Sequence, residues 1–165
     1  MRHVLKRSDP AADIVKDYQS LTITKPEPVN SGVRLAAGDA FTVLPRETRT
    51  KEILKYKIGD EPTVAAGKYH NIAASSGYLY LSAEPSREVK SLKAMDVEII
   101  VWKRADWLQI AAFFETMKKD HPNSLSVAVA CHEANLRYEA DAASRKASER
   151  IDEARKQWEE EREKT

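Results

Sequence analysis

"VEIIVWK", residues 97–103, is the stretch on which the fold turns. Successive side chains of an extended chain point to opposite sides. Val97, Ile99 and Val101 therefore share one face, and Ile100 and Trp102 share the other. A strand with one wet face carries polar residues on it; this one is apolar on both. It is predicted to lie in the middle of a sheet, with protein above and below.

Downstream of that strand the period changes. Asp106 is placed to cap a helix, with Gln109 three residues on as in a capping box. The helix it opens, "WLQIAAFFETMKK", carries Trp107, Ile110, Ala111 and Phe114 on one stripe. Leu108 and Phe113 widen that stripe, and Pro122 sets the stop. Residues 124–131, "SLSVAVAC", fit two patterns. Leu125, Val127, Val129 and Cys131 alternate as in a strand, while Leu125, Val129, His132 and Leu136 form a helical stripe. Asn123 or Ser124 is a good cap after Pro122, which favours helix. From His132 to the end the chain has neither Gly nor Pro and is read as one long helix.

Upstream, glycine and proline divide the chain. All five glycines lie between positions 32 and 77, with short apolar runs between the breakers, as a β-rich segment requires. Strands are expected at 21–24, 32–36, 40–44, 52–58, 63–66, 69–73 and 78–83, with "SSG" at 75–77 as a hairpin turn between the last two. The expected class is α+β: an N-terminal arm or short helix over 1–20, an α+β core over 21–131 and a long charged amphipathic helix over 132–165. The sheet is expected to be antiparallel or mixed.

The terminal helix is amphipathic in a restrained way. Leu136, Ala140, Ala143, Ala147, Ile151, Ala154 and Trp158 follow one another at steps of four, three, four, four, three and four. That eleven-residue repeat averages about 3.67 residues per turn and keeps the stripe on one face of a nearly straight helix. A helix over 132–164 spans roughly 50 Å, against about 30 Å for the rest of the domain, so its last turns overhang. An alanine-lined stripe ending in tryptophan predicts a partner surface, most simply a second copy. The bland alternative is a solvated, charged helix that frays.

The motifs of common chemistries fail on inspection. "HEANL", 132–136, opens like a zinc-protease helix, but the second histidine position is Leu136. Cys131 and His132 are neighbours and point in different directions, so they form no catalytic pair. "AAGKYHN", 65–71, has Pro62 where a phosphate loop needs its first glycine, and no Ser or Thr after Lys68. Lys68, Tyr69 and His70 are read as a polar hairpin flank. The four histidines show no metal-ligand spacing. No catalytic residue, metal or cofactor is expected.

Charge offers the second functional reading. "RETRTKEILKYK", 46–57, holds Arg46, Arg49, Lys51, Lys55 and Lys57 against Glu47 and Glu52. Lys51, Lys55 and Lys57 share one strand face, with Leu54, Tyr56 and Ile58 on the other. Tyr78 and Tyr80, on one side of another strand, could stack on bases beside them. The same lysines could equally guard a sheet edge.

The formal net charge of +1 drives the chain toward neither nucleic acid nor membrane. No apolar run is long enough to span a bilayer and no secretory leader is evident, so a cytoplasmic site of synthesis is expected. The sequence thus points to a non-enzymatic structural or assembly protein that binds protein, most simply copies of itself. Small virion and sheath components share that build by analogy. A nucleic-acid-binding or regulatory module is the alternative.

Overall fold

The computed structural model describes residues 13–45, 52–66, 68–85 and 94–164. Among them the chain forms eight strands followed by two helices. The strands are β1 (Val15–Ile23), β2 (Val29–Leu35), β3 (Ala40–Pro45), β4 (Glu52–Ile58), β5 (Val64–Ala65), β6 (His70–Ile72), β7 (Gly77–Pro85) and β8 (Met95–Trp102). The helices are α1 (Trp107–Asp120) and α2 (Leu125–Glu163). The class is α+β, as the sequence predicts.

The strands make two antiparallel sheets, ordered β1-β8-β3-β6 and β2-β7-β4-β5. β8 is interior, paired to β1 and β3. Its two apolar faces serve two cores. Val97, Ile99 and Val101 join Phe41, Val43, Leu79 and Leu81 between the sheets. Ile100 and Trp102 join Leu44, Trp107, Ile110, Phe113 and Phe114 beneath the helices. The molecule is therefore layered: second sheet, first sheet, helices.

Asp106 caps α1 as read, and of the two candidates for α2, Asn123 and Ser124, it is Ser124 that caps. The Asp106 carboxylate accepts from the Gln109 amide at 3.1 Å, and Ser124 Oγ accepts from the Val127 amide at 3.4 Å. The ambiguous run 125–131 is helix, so α2 begins at Leu125, seven residues before the firm reading at His132. Trp107, Ile110, Ala111, Phe113 and Phe114 are buried, whereas Leu108 is exposed and does not widen the stripe.

Two strand readings need correction. β1 starts at Val15, inside the stretch expected to be an arm or short helix; a bulge between Val15 and Asp17 breaks the alternation that would mark it as a strand. The "SSG" at 75–77 does not close a hairpin. β6 pairs with β3 in one sheet and β7 with β2 and β4 in the other, so this segment carries the chain across the sandwich. Gly77 sits at that crossing, where an added Cβ would lie 3.0 Å from the Gly59 Cα. Glycine is needed there for close backbone approach.

Candidate functional site

α2 is 39 residues long, about 58 Å at about 1.5 Å per residue. Its first part is anchored: Ser126, Val127, Ala130, Cys131 and Ala134 are buried. Every described residue after Ala142 is exposed, so about 30 Å of helix projects beyond the body.

The exposed large hydrophobic residues of α2 are Leu125 at 60%, Leu136 at 49%, Ile151 at 59% and Trp158 at 59%. All four lie on the single stripe read from the sequence, extended back one repeat to Leu125. Ala140, Ala143, Ala147 and Ala154 lie exposed between them. Ala134 is buried and Leu136 stands two residues on, about 200° around the helix. The stripe thus lies off the buried side of α2, and meets the body only where Leu136 and Ala140 border a hollow shared with Lys68 and His70. The Arg162 guanidinium stands 5.3 Å from the centre of the Trp158 ring, a contact within the projecting segment.

Two hollows flank α2. One, about 710 Å³, lies where the helix leaves the body, between Asp106, Trp107 and Leu108 and the side chains of Tyr138, Asp141 and Arg145. The other, about 230 Å³ and more apolar, lies between Lys68 and His70 on one side and Glu133, Leu136, Arg137 and Ala140 on the other.

At the floor of the smaller hollow is a polar chain that sequence reasoning missed. His70 is buried on strand β6, not on a polar flank. Its Nε2–H donates to the Ala130 carbonyl at 2.7 Å, since a carbonyl only accepts. Its Nδ1 then accepts from the Thr42 hydroxyl at 2.7 Å, and Thr42 Oγ1 accepts from Trp102 Nε1–H at 2.8 Å. Burial, with the Arg137 charge nearby, outweighs the Ala130 hydrogen bond and lowers the imidazole to about 4. Around it, Arg137 donates to the His70 carbonyl at 2.9 Å and lies 4.4 Å from the centre of the Trp107 ring. Glu133 accepts from the Tyr69 amide at 2.9 Å, and burial pushes its carboxyl up. A neutral imidazole with every polar atom satisfied holds β3, β6, β8 and α2 together. Both of its ring nitrogens are engaged in those hydrogen bonds.

Cys131 is buried and donates to Glu115 Oε2 at 3.0 Å. Burial, then the Glu115 hydrogen bond and charge, push the thiol up to about 11. His132, its neighbour in sequence, is exposed on α2. Among the described residues no group of three or more His, Cys, Asp or Glu side chains is placed to hold a metal ion. No described helix is long and apolar enough to cross a membrane.

The basic strand lands on the outer face of the second sheet. Lys55 and Lys57 on β4 share that face with Tyr78 and Tyr80 on β7 and Arg34 on β2, as the registers Lys57↔Tyr80 and Arg34↔Tyr78 require. Lys57 Nζ lies 4.9 Å from the Tyr80 ring centre, and the Arg34 guanidinium 5.9 Å from that of Tyr78. The fold therefore brings Lys55, Lys57 and the two tyrosines together. Arg46, Arg49 and Lys51 lie outside the described residues. Arg34 was not part of the sequence reading, because only the β2–β7 register reveals it.

Comparison with known proteins yields no match: no family model, curated protein or solved structure corresponds to this chain.

Proposed function

We propose that this chain is a structural or assembly protein, not an enzyme, and that it acts by self-association through α2. One observation carries the reading: every exposed large hydrophobic residue of a 39-residue helix falls on one stripe, off the side that is buried on the body. A helix that served only to brace its own domain would turn that stripe inward. Burying the exposed part of Trp158 contributes about 3 kcal/mol before ordering costs. The alanines contribute less each and permit close helix approach, while Glu149, Arg150, Glu153 and Arg155 set register more than strength.

The test is solution mass by light scattering, on the whole chain and on a chain ending at Ala142. The whole chain associates with rising concentration; the shortened chain stays folded and monomeric. A whole chain that is monomeric at the highest concentration reached, with a shortened chain that unfolds, makes α2 an internal buttress and ends this reading.

A second reading, binding of single-stranded nucleic acid, is favoured by Lys57 over Tyr80 and Arg34 over Tyr78 on one face of the second sheet, where Arg34 and Tyr78 are exposed. Cations follow phosphates and tyrosines stack on bases. Binding of an oligonucleotide at low salt that weakens steeply with added salt, and is lost in Lys55→Glu/Lys57→Glu, supports it. Absence of binding at low salt removes it.

A further inference from the structure

Resting on the self-association reading above, we infer that two chains pair through α2 in antiparallel fashion, with Trp158 of each seated against Leu136 of the other at the hollow floored by His70. The spacing of the stripe supplies the first argument. Steps of four, three, four, four, three and four read the same in both directions about Ala147. A two-fold axis through Ala147 therefore sets Leu136 level with Trp158, Ala140 with Ala154, and Ala143 with Ile151. Each chain offers the same patch to the other, as a closed pair requires. Between its bulky ends this seam opposes alanine to alanine and alanine to isoleucine, so the two backbones can approach closely.

Charge chooses the direction. Glu159, Glu160, Glu161 and Glu163 stand against Arg162 and the C-cap Lys164 at the tip of α2, a local net of about −2. A parallel pair lays two such tips side by side, like charge on like. The antiparallel pair carries each tip to the body of the other chain, beside exposed Lys68 and half-buried Arg137. It also keeps the two bodies at opposite ends of the helix pair, where they do not collide.

Shape supplies the third argument. The stripe position level with Trp158 is Leu136, which with Ala140 borders the hollow of about 230 Å³. The surface it offers is mainly apolar, a setting suited to an indole ring, and at its edge Arg137 and Lys68 outnumber Glu133 beside the acidic turn that follows. The occupant is thus a named side chain of a second copy, and the two seats are equivalent.

Disulfide trapping separates this arrangement from its rivals. Chains carrying Ala140→Cys are mixed with chains carrying Ala154→Cys under mild oxidation, with the unmodified chain, whose Cys131 is buried, as the blank. The mixture forms the 140–154 disulfide, and neither variant alone forms a crosslinked dimer, because only Cα atoms within about 7 Å can be bridged. Trp158→Ala weakens association at least about tenfold, as loss of a buried aromatic anchor does, and Lys68→Glu weakens it in the same direction. If each cysteine variant crosslinks to itself, the pair is parallel and the inference fails while self-association stands. If the chain associates and no crosslink forms in any mixture, the register is wrong and the inference fails likewise. A chain that never associates overturns both.

Discussion

The two halves of α2 share one stripe and one period, and differ in composition and in everything that surrounds them. From Leu125 to Ala142 the helix has an inward side, sealed by Val127, Ala130 and Ala134 over the first sheet, and a stripe off that side. From Ala143 to Glu163 it has the stripe alone. The first half is helical because the core demands it. As a monomer the second is helical because alanine, glutamate, lysine and arginine favour helix and the first half nucleates it. Periodicity shows that a face exists; only the fold shows whether the chain itself covers it.

The sharpest way to break that contrast is to put the same charge in both halves. Ala134→Glu forces a carboxylate into the core beneath the helices and costs more than about 3 kcal/mol, read by urea denaturation. Ala147→Glu leaves the stability of dilute monomer within about 0.5 kcal/mol. Equal losses at the two sites would mean that the projecting half is braced after all.

Nearly as large is a pH effect confined to the anchored half, through the Ala130 carbonyl. His70 titrates near 4 when folded and near 6.5 when unfolded, so between those values the unfolded chain binds more protons. Stability is full above about pH 6.5 and falls as the pH drops toward 4, by a total on the order of 3 kcal/mol. The raised carboxyl of Glu133 acts in the opposite sense and trims this loss. Urea midpoints at pH 7 and pH 4.5, for the native chain and for His70→Gln, check it: the variant loses most of this dependence.

Cys131, inside the anchored half, distinguishes buried from open helix by reactivity. With its thiol near 11, alkylation at neutral pH runs about a hundredfold slower than for a cysteine placed at position 147. Similar rates at the two positions would show that the anchored half opens as readily as the projecting one.

The smallest effect belongs to the projecting half by itself. Ser148→Ala, off the stripe, should favour helix by about 0.5 kcal/mol or less, seen as a modest gain in ellipticity in dilute solution. No change would mean that a partner, not propensity, already holds that segment helical.

How much of this was legible in advance follows from the range of each interaction. β8 declared itself because both faces are apolar, and the two helix starts because their capping bonds span three residues. The bulge at Val15–Asp17 hid β1, since Val15 and Tyr18 turn to the same core at a spacing that alternation does not allow. His70 was misread because its partners, Thr42 and Ala130, are 28 and 60 residues away. The division into two sheets was invisible for the same reason: a strand's sequence carries its pattern, not the name of its neighbour. The stripe on α2 was legible in full, from Leu136 to Trp158, and Leu125 extends it.

The place of β8 also sets the tempo at which the molecule forms. The strand that organises both cores is the last to be made, and it bonds back to the first: Tyr18 reaches Glu98 across 80 residues. Until Met95–Trp102 is available, β1 has no ladder partner among the described residues and β3 has only the three residues of β6. Folding must wait for a loop of that length to close, and topologies ruled by such distant pairings fold in milliseconds to seconds rather than microseconds. During that interval the apolar strands Leu79–Ala83 and Phe41–Leu44 are exposed to other chains. Concentration during refolding is therefore the variable that decides between native sandwich and aggregate, independently of any affinity of the finished helix.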